Sequence, residues 1–164
     1  LVASDFDDAA SAVLITTGVL YENSTTYGTI VQPCEEPTWA FSERDAAGTM
    51  SDAGGEKLVH IKMTQGDDLS WSLLKVSIVV DNGETQNCVE ADAADDTADC
   101  TWAKDGDNSW STSEEITISE GANNDLCDGT GGGCDVAVTL TKIGVGNEDD
   151  KVIREVTSFA DANN

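Results

Sequence analysis

The sequence predicts a mostly β protein: an antiparallel, Ig-like β-sandwich of about seven to nine short strands, with residues 9–21 forming either an N-terminal helix stub or one more strand. Three observations predict it. Apolar and polar residues alternate over short runs, turn signals recur between those runs, and no stretch after residue 22 carries the apolar period of an amphipathic helix. Strands with one apolar face must bury it against a second layer, which implies a sandwich or a barrel. At 164 residues the chain fits one domain. It divides into an acidic and apolar N-terminal segment (1–27), a β-sandwich domain (28–160) and a frayed tail (161–164).

Asp5, Asp7 and Asp8 precede an apolar run, a charge placement that suits a helix N-terminus. The run itself reads two ways. Val13, Ile15, Thr16, Thr17 and Val19 favour a strand, whereas the Ala-rich start favours a helix ending at Gly18 or Tyr21. Segments 29–31 and 38–41 read as short strands, and Pro33 and Pro37 keep this stretch away from the centre of a sheet. The strongest alternation lies within 57–80: Val59, Ile61 and Met63 share one face opposite His60 and Lys62, and Leu74, Val76, Ile78 and Val80 share another. Gly66, Asp67, Asp68 and Ser70 supply a turn between them, so the two runs read as a hairpin, with Trp71 capping the core. Asp81-Asn82-Gly83 turns the chain into a strand at 85–89. Trp102 and Trp110 flank an Asp- and Gly-rich turn. Ile116 and Ile118 then alternate with Thr117 and Ser119, Val136, Val138 and Leu140 share a face, and 151–159 forms the last strand.

Charge excludes one class of function. Eight Lys and Arg against 32 Asp and Glu give a formal charge of −24, the opposite of what nucleic acid or an anionic membrane surface requires. Such a surface suits a saline or cation-rich exterior, because its self-repulsion reaches roughly 30 Å in dilute salt and roughly 8 Å at physiological strength. No apolar stretch approaches the length of a membrane span, and the chain opens at Leu1 without a basic signal segment. The expectation is an extracellular or cell-surface protein with no membrane segment in the mature fragment.

Cysteine spacing points the same way. Cys88 and Cys100 bracket the polar VEADAADDTAD, and Cys127 and Cys134 bracket DGTGGG, so each pair reads as a disulfide clip on a loop too polar to pack itself. Cys34 is left over, as a buried thiol or a link to a partner. Zinc lacks its CxxC spacing, and there is only one histidine. Asn23-Ser24-Thr25 is a sequon, making Asn23 the candidate glycosylation site.

The chemistry-bearing motifs are sparse. His60 sits mid-strand with no nucleophile elbow in the chain, and the Gly-rich 129–133 lacks the lysine of a phosphate cradle, so no catalytic or cofactor-binding residue is assigned. Asp105, Asp107 and Asn108 form an oxygen-rich loop of the kind Ca²⁺ uses, as do residues 147–150. Neither completes an EF-hand: counting from Asp105, Trp110 stands where glycine is needed and Ile116 where the bidentate glutamate is needed. A solvated acidic loop is therefore the favoured reading, with Ca²⁺ the alternative.

The order of these pieces resembles the extracellular β domain of archaeal type IV pilin-like proteins and their archaellin relatives. The resemblance runs over residues 54–157. It is carried by His60, then Gly66-Asp67, then the L-x-V-x-I of residues 74–78, and by the later strands at 114–118 and 136–153. It implies an exported, non-enzymatic subunit of a surface filament for adhesion or motility, with a homo-oligomeric contact through the N-terminal segment. Residues 1–21 are shorter and more acidic than a complete assembly helix. The resemblance therefore implies either that such a helix preceded Leu1 or that the relationship is to the β domain alone. The alternative function is a secreted or surface-anchored Ig-like module binding glycan or protein, assisted by Ca²⁺. An exposed patch containing Trp71, Trp102 or Trp110 would favour it. An extracellular hydrolase would instead need a cleft gathering His60 or two carboxylates.

Overall fold

The computed structural model describes residues 38–46, 48, 54–106 and 108–161, together with the strand backbones at 6–7, 12–16 and 29–32. Two compact units divide the chain at Pro37. In Leu1–Pro37, β1 (Phe6–Asp7), β2 (Ala12–Thr16) and β3 (Thr29–Gln32) form an antiparallel sheet in that order, with Leu14 opposite Val31 and Ile15 opposite Ile30. The β-branched residues thus prevail over the Ala-rich start, and Ala12–Thr16 is strand, not helix.

The second unit, Thr38–Asn164, holds ten strands among its described residues. They are β4 (Ala40–Asp45), β5 (Lys57–Gln65), β6 (Leu69–Ser70), β7 (Leu74–Val80), β8 (Gln86–Glu90), β9 (Cys100–Lys104), β10 (Ser109–Trp110), β11 (Glu115–Glu120), β12 (Gly133–Lys142) and β13 (Lys151–Asp161). Eight of them make one sheet in the order β13-β12-β7-β8-β9-β11-β5-β4, and β6 pairs with β10. The sheet curls until its two edges meet. Arg154 on β13 lies 4.0 Å from Glu43 on β4, and the Asp161 N–H donates to Asp45 Oδ1 at 3.3 Å. The result is a near-barrel rather than a clear Ig-like sandwich, because the inward faces meet across the curl of one sheet and not between two.

Alternation places nearly all the inward residues as expected. Val59, Ile61 and Met63, then Leu74, Val76 and Ile78, then Ile116 and Ile118, then Val136, Val138 and Leu140 are all buried, while Val80, at the end of its strand, is only partly buried against them. Leu58 is buried beside Val59 because the β5–β11 register slips at Ile118/Ser119, and the bulge turns two successive side chains inward.

The expected hairpin between β5 and β7 does not form. β5 pairs with β11 and β4, and β7 pairs with β12 and β8. The linking residues instead run through β6 and a 3-10 turn at Trp71–Leu73, which drives the Trp71 ring into the interior. There it stacks on Trp102 (centroids 5.6 Å apart) and on Trp110 (5.5 Å), and Trp110 packs on Phe41 at 5.0 Å. Burial of so large a ring outweighs a local turn between two strands.

The turn at Asp81-Asn82-Gly83 does form. Asp81 and Asn82 both take left-handed backbone angles (φ 47° and 58°), and the Gly83 N–H closes on the Val80 carbonyl at 2.8 Å.

Candidate functional site

Both predicted disulfides are present, Cys88–Cys100 and Cys127–Cys134, and all four cysteines are buried. The first ties β8 to β9, the parallel pair of this sheet, where Val89 lies opposite Thr101. Residues 91–99 leave β8 and return beside it, and the clip holds the Cα atoms at the base of that excursion 4.5 Å apart. Each clip is associated with the same Asp-x-Thr turn. Asp95 Oδ1 accepts from the Thr97 N–H and hydroxyl, and Asp128 Oδ1 accepts from those of Thr130. These bonds hold both exposed aspartates below the usual carboxylate range.

The residue that joins the two clips is Glu120, which the sequence reading did not single out. It ends β11 at an inward position, directly opposite Cys100 on β9. The alternation Ile116, Ile118, Glu120 was the available signal. Glu120 is only 1% exposed. Its Oε1 accepts the backbone N–H groups of Leu126 (3.0 Å) and Cys127 (2.7 Å), while Oε2 has no hydrogen-bond partner among the described residues. Burial pushes its carboxyl up to about 7; the two N–H bonds oppose that rise, and the negative charges of Asp125 and Glu56 add to it.

Close backbone contacts enclose this carboxyl. The Glu120 N–H donates to the Glu56 carbonyl at 2.9 Å, and the Gly121 N–H donates to the Asp99 carbonyl at 2.8 Å. Asn124 Nδ2 donates to Asp99 Oδ1 at 2.9 Å. A side chain at Gly121 would overlap the Ala98 carbonyl, and one at Gly54 would press on the Gly121 and Asn124 backbone. Three segments, 54–56, 98–99 and 121–127, therefore converge around one buried acid.

A second polar cluster lies on β4, β5 and β11. Arg44 grips Glu115 with two bonds (Nη2–Oε1 2.7 Å, Nε–Oε2 3.2 Å), and His60 Nδ1 lies 2.8 Å from Thr117 Oγ1 and 3.3 Å from Glu115 Oε1. Burial and the Arg44 charge lower the His60 pKa and outweigh the pull of Glu115, so the imidazole is neutral at pH 7 and the Glu115 contact is not an ion pair. The hydroxyl beside it belongs to a strand residue whose role is cross-strand pairing.

No protein-family model, curated protein or solved structure matches the chain.

The remaining candidates fall in different places. Asp105 and Asn108 are exposed on the turn between β9 and β10, and the Asp105 N–H donates to the Glu115 carbonyl at 3.2 Å. Asp107, Cys34 and the sequon residue Asn23 lie outside the described residues. In the 147–150 turn, Asp150 Oδ1 accepts the Gly144 N–H at 3.0 Å, which spends one oxygen on folding the loop. Among the described residues, no three His, Cys, Asp or Glu side chains gather where a metal could be held. Trp71, Trp102 and Trp110 are buried at 6%, 4% and 0% exposure, so they present no aromatic face to a ligand.

Proposed function

We propose that the chain is a structural, non-enzymatic subunit of an extracellular archaeal filament, of type IV pilus or archaellum-like kind, serving adhesion or motility. The observation that carries this reading is the pilin-like order of motifs from His60 through Gly66-Asp67 to the strand at 74–78. Three features support it. The body is β-rich, two buried disulfides suit an oxidising exterior, and the formal charge of −24 suits a surface bathed in salt. In this reading the near-barrel of Thr38–Asn164 takes the outward position of the Ig-like sandwich, the N-terminal segment makes the homo-oligomeric contact, and Asn23 carries a glycan. His60 is a cross-strand structural residue, already engaged by Thr117 and Glu115.

Electron microscopy of the native, untruncated product in high salt tests the proposal. Regular filaments that disappear when the gene is deleted support it. A product that stays monomeric, from cells that keep all their filaments without it, refutes it.

The second reading, a secreted binding module for glycan or protein, draws on a different observation. A groove of about 460 Å³ on the β7-β12-β13 side is lined by Phe159, which is 49% exposed, together with Val79, Ala137, Asp135 and Thr157. Glycan-array binding that is lost in Phe159→Ala would favour it.

A further inference from the structure

The two clips differ in how they are held. Cys88–Cys100 joins two strands of the main sheet, so ladder hydrogen bonds secure both of its ends. Cys127 lies outside any strand, and its backbone N–H is held by the Glu120 carboxyl at 2.7 Å, as is that of Leu126. The seat of the second clip on the sheet therefore depends on a group that can change charge.

The surroundings favour the neutral form of that group. Oε2 is buried and unpartnered among the described residues, and leaving a charged oxygen so placed is far more costly than leaving a neutral one. Among the described residues the charged groups around it offer no relief. Asp125 on its own loop and Glu56 ahead of β5 are both acidic, and Asp99 beside β9 has its carboxylate engaged by Asn124. Lys57, the nearest cation along β5, is exposed and lies opposite Ser119, which is turned to the other face.

We propose that Glu120 is a proton-operated latch on the second clip. Holding its proton, the carboxyl keeps residues 121–127 packed on the sheet; losing it, the carboxylate leaves for water, that segment opens, and the Cys127–Cys134 disulfide becomes accessible to reductants. The latch works in a single subunit and does not depend on the filament reading.

The direction follows from linkage. In the closed form the carboxyl titrates at about 7 and in the open form near its ordinary 4.5, so opening grows as pH rises between those values and levels off above them. The test is the rate at which a water-soluble phosphine reduces each disulfide across the pH range, read by alkylation and mass mapping. In that reaction the S–S bond takes two electrons and two protons, and the phosphine is oxidised to its oxide with the oxygen of water. The expected rate at Cys127–Cys134, relative to Glu120→Gln at the same pH, rises roughly tenfold per unit from about pH 5 to 6.5 and flattens above about pH 7.5. Asp125→Asn, which removes a flanking charge from an exposed position, moves that midpoint to lower pH. Identical profiles in wild type and Glu120→Gln would overturn the latch. A parallel rise at Cys88–Cys100 would overturn it too, because the whole fold would then be loosening.

Discussion

Replacing Glu120 by glutamine keeps an oxygen to accept the Leu126 and Cys127 N–H groups but removes the proton that titrates, so the variant isolates the cost of charging a buried acid. The folded protein holds the Glu120 proton up to about pH 7, whereas the unfolded chain releases it near 4.5. Between those values the folded state binds more protons than the unfolded one. The stabilisation is thus complete below about pH 4.5, is lost progressively as pH rises through about 7, and is absent above. The shift corresponds to roughly 3 kcal/mol. His60, the chain's one histidine, works in the opposite sense. Its pKa is lowered in the fold, so its contribution is present above its ordinary 6.5 and is lost as pH falls. The wild-type curve sums both effects, and the difference between wild type and Glu120→Gln contains only the glutamate. Urea unfolding followed by tryptophan fluorescence, in about 1 M NaCl to shorten the screening length to about 3 Å, measures it. The wild type should lose stability relative to the variant by roughly 2.5 kcal/mol between pH 5 and 8, the part of the shift that lies in that window. Parallel curves over that range would refute the reasoning.

Three further outcomes follow from the same geometry. Replacing Cys88 and Cys100 together by serine should cost about 3 kcal/mol through a loop of separation 12, against about 2.4 kcal/mol for Cys127 and Cys134 at separation 7, an order that urea midpoints check. Gly121→Ala should destabilise by about 1–3 kcal/mol, because its methyl meets the Ala98 carbonyl, a backbone atom that cannot swing aside; thermal unfolding at fixed pH reads it. Arg44→Gln should cost less than about 1 kcal/mol, the Arg44 side chain being 57% exposed, yet it should raise the His60 pKa by removing the cation that lowers it, as an NMR titration of the imidazole will show.

Alternation made the strand faces legible. Val59, Ile61 and Met63, or Val136, Val138 and Leu140, could be turned inward from the sequence because a period of two leaves no other arrangement for one apolar face. The same period says nothing about which strand lies next to which. Hence β5 and β7 were legible as strands, while their separation in the sheet by β8, β9 and β11 was not. β9 itself was hidden. In CTWAK the ring of Trp102 reads as the flank of an Asp-rich turn until its stack on Trp71 is seen. The disulfides were legible because polar stretches between cysteines cannot seal themselves by burial.

Glu120 was hidden for a different reason. In a chain with 32 acidic residues, one more glutamate at a strand end reads as solvated surface. What sets it apart is its parity with Ile116 and Ile118, which turns the last residue of β11 inward, together with two free N–H groups arriving from a loop that the second disulfide holds in place. The acidic environment that conceals this residue in the sequence is also what gives it a function in the structure. With Asp125 and Glu56 beside it, the buried carboxyl has no cationic partner among the described residues to hold it ionised, and the proton is what makes its burial tolerable.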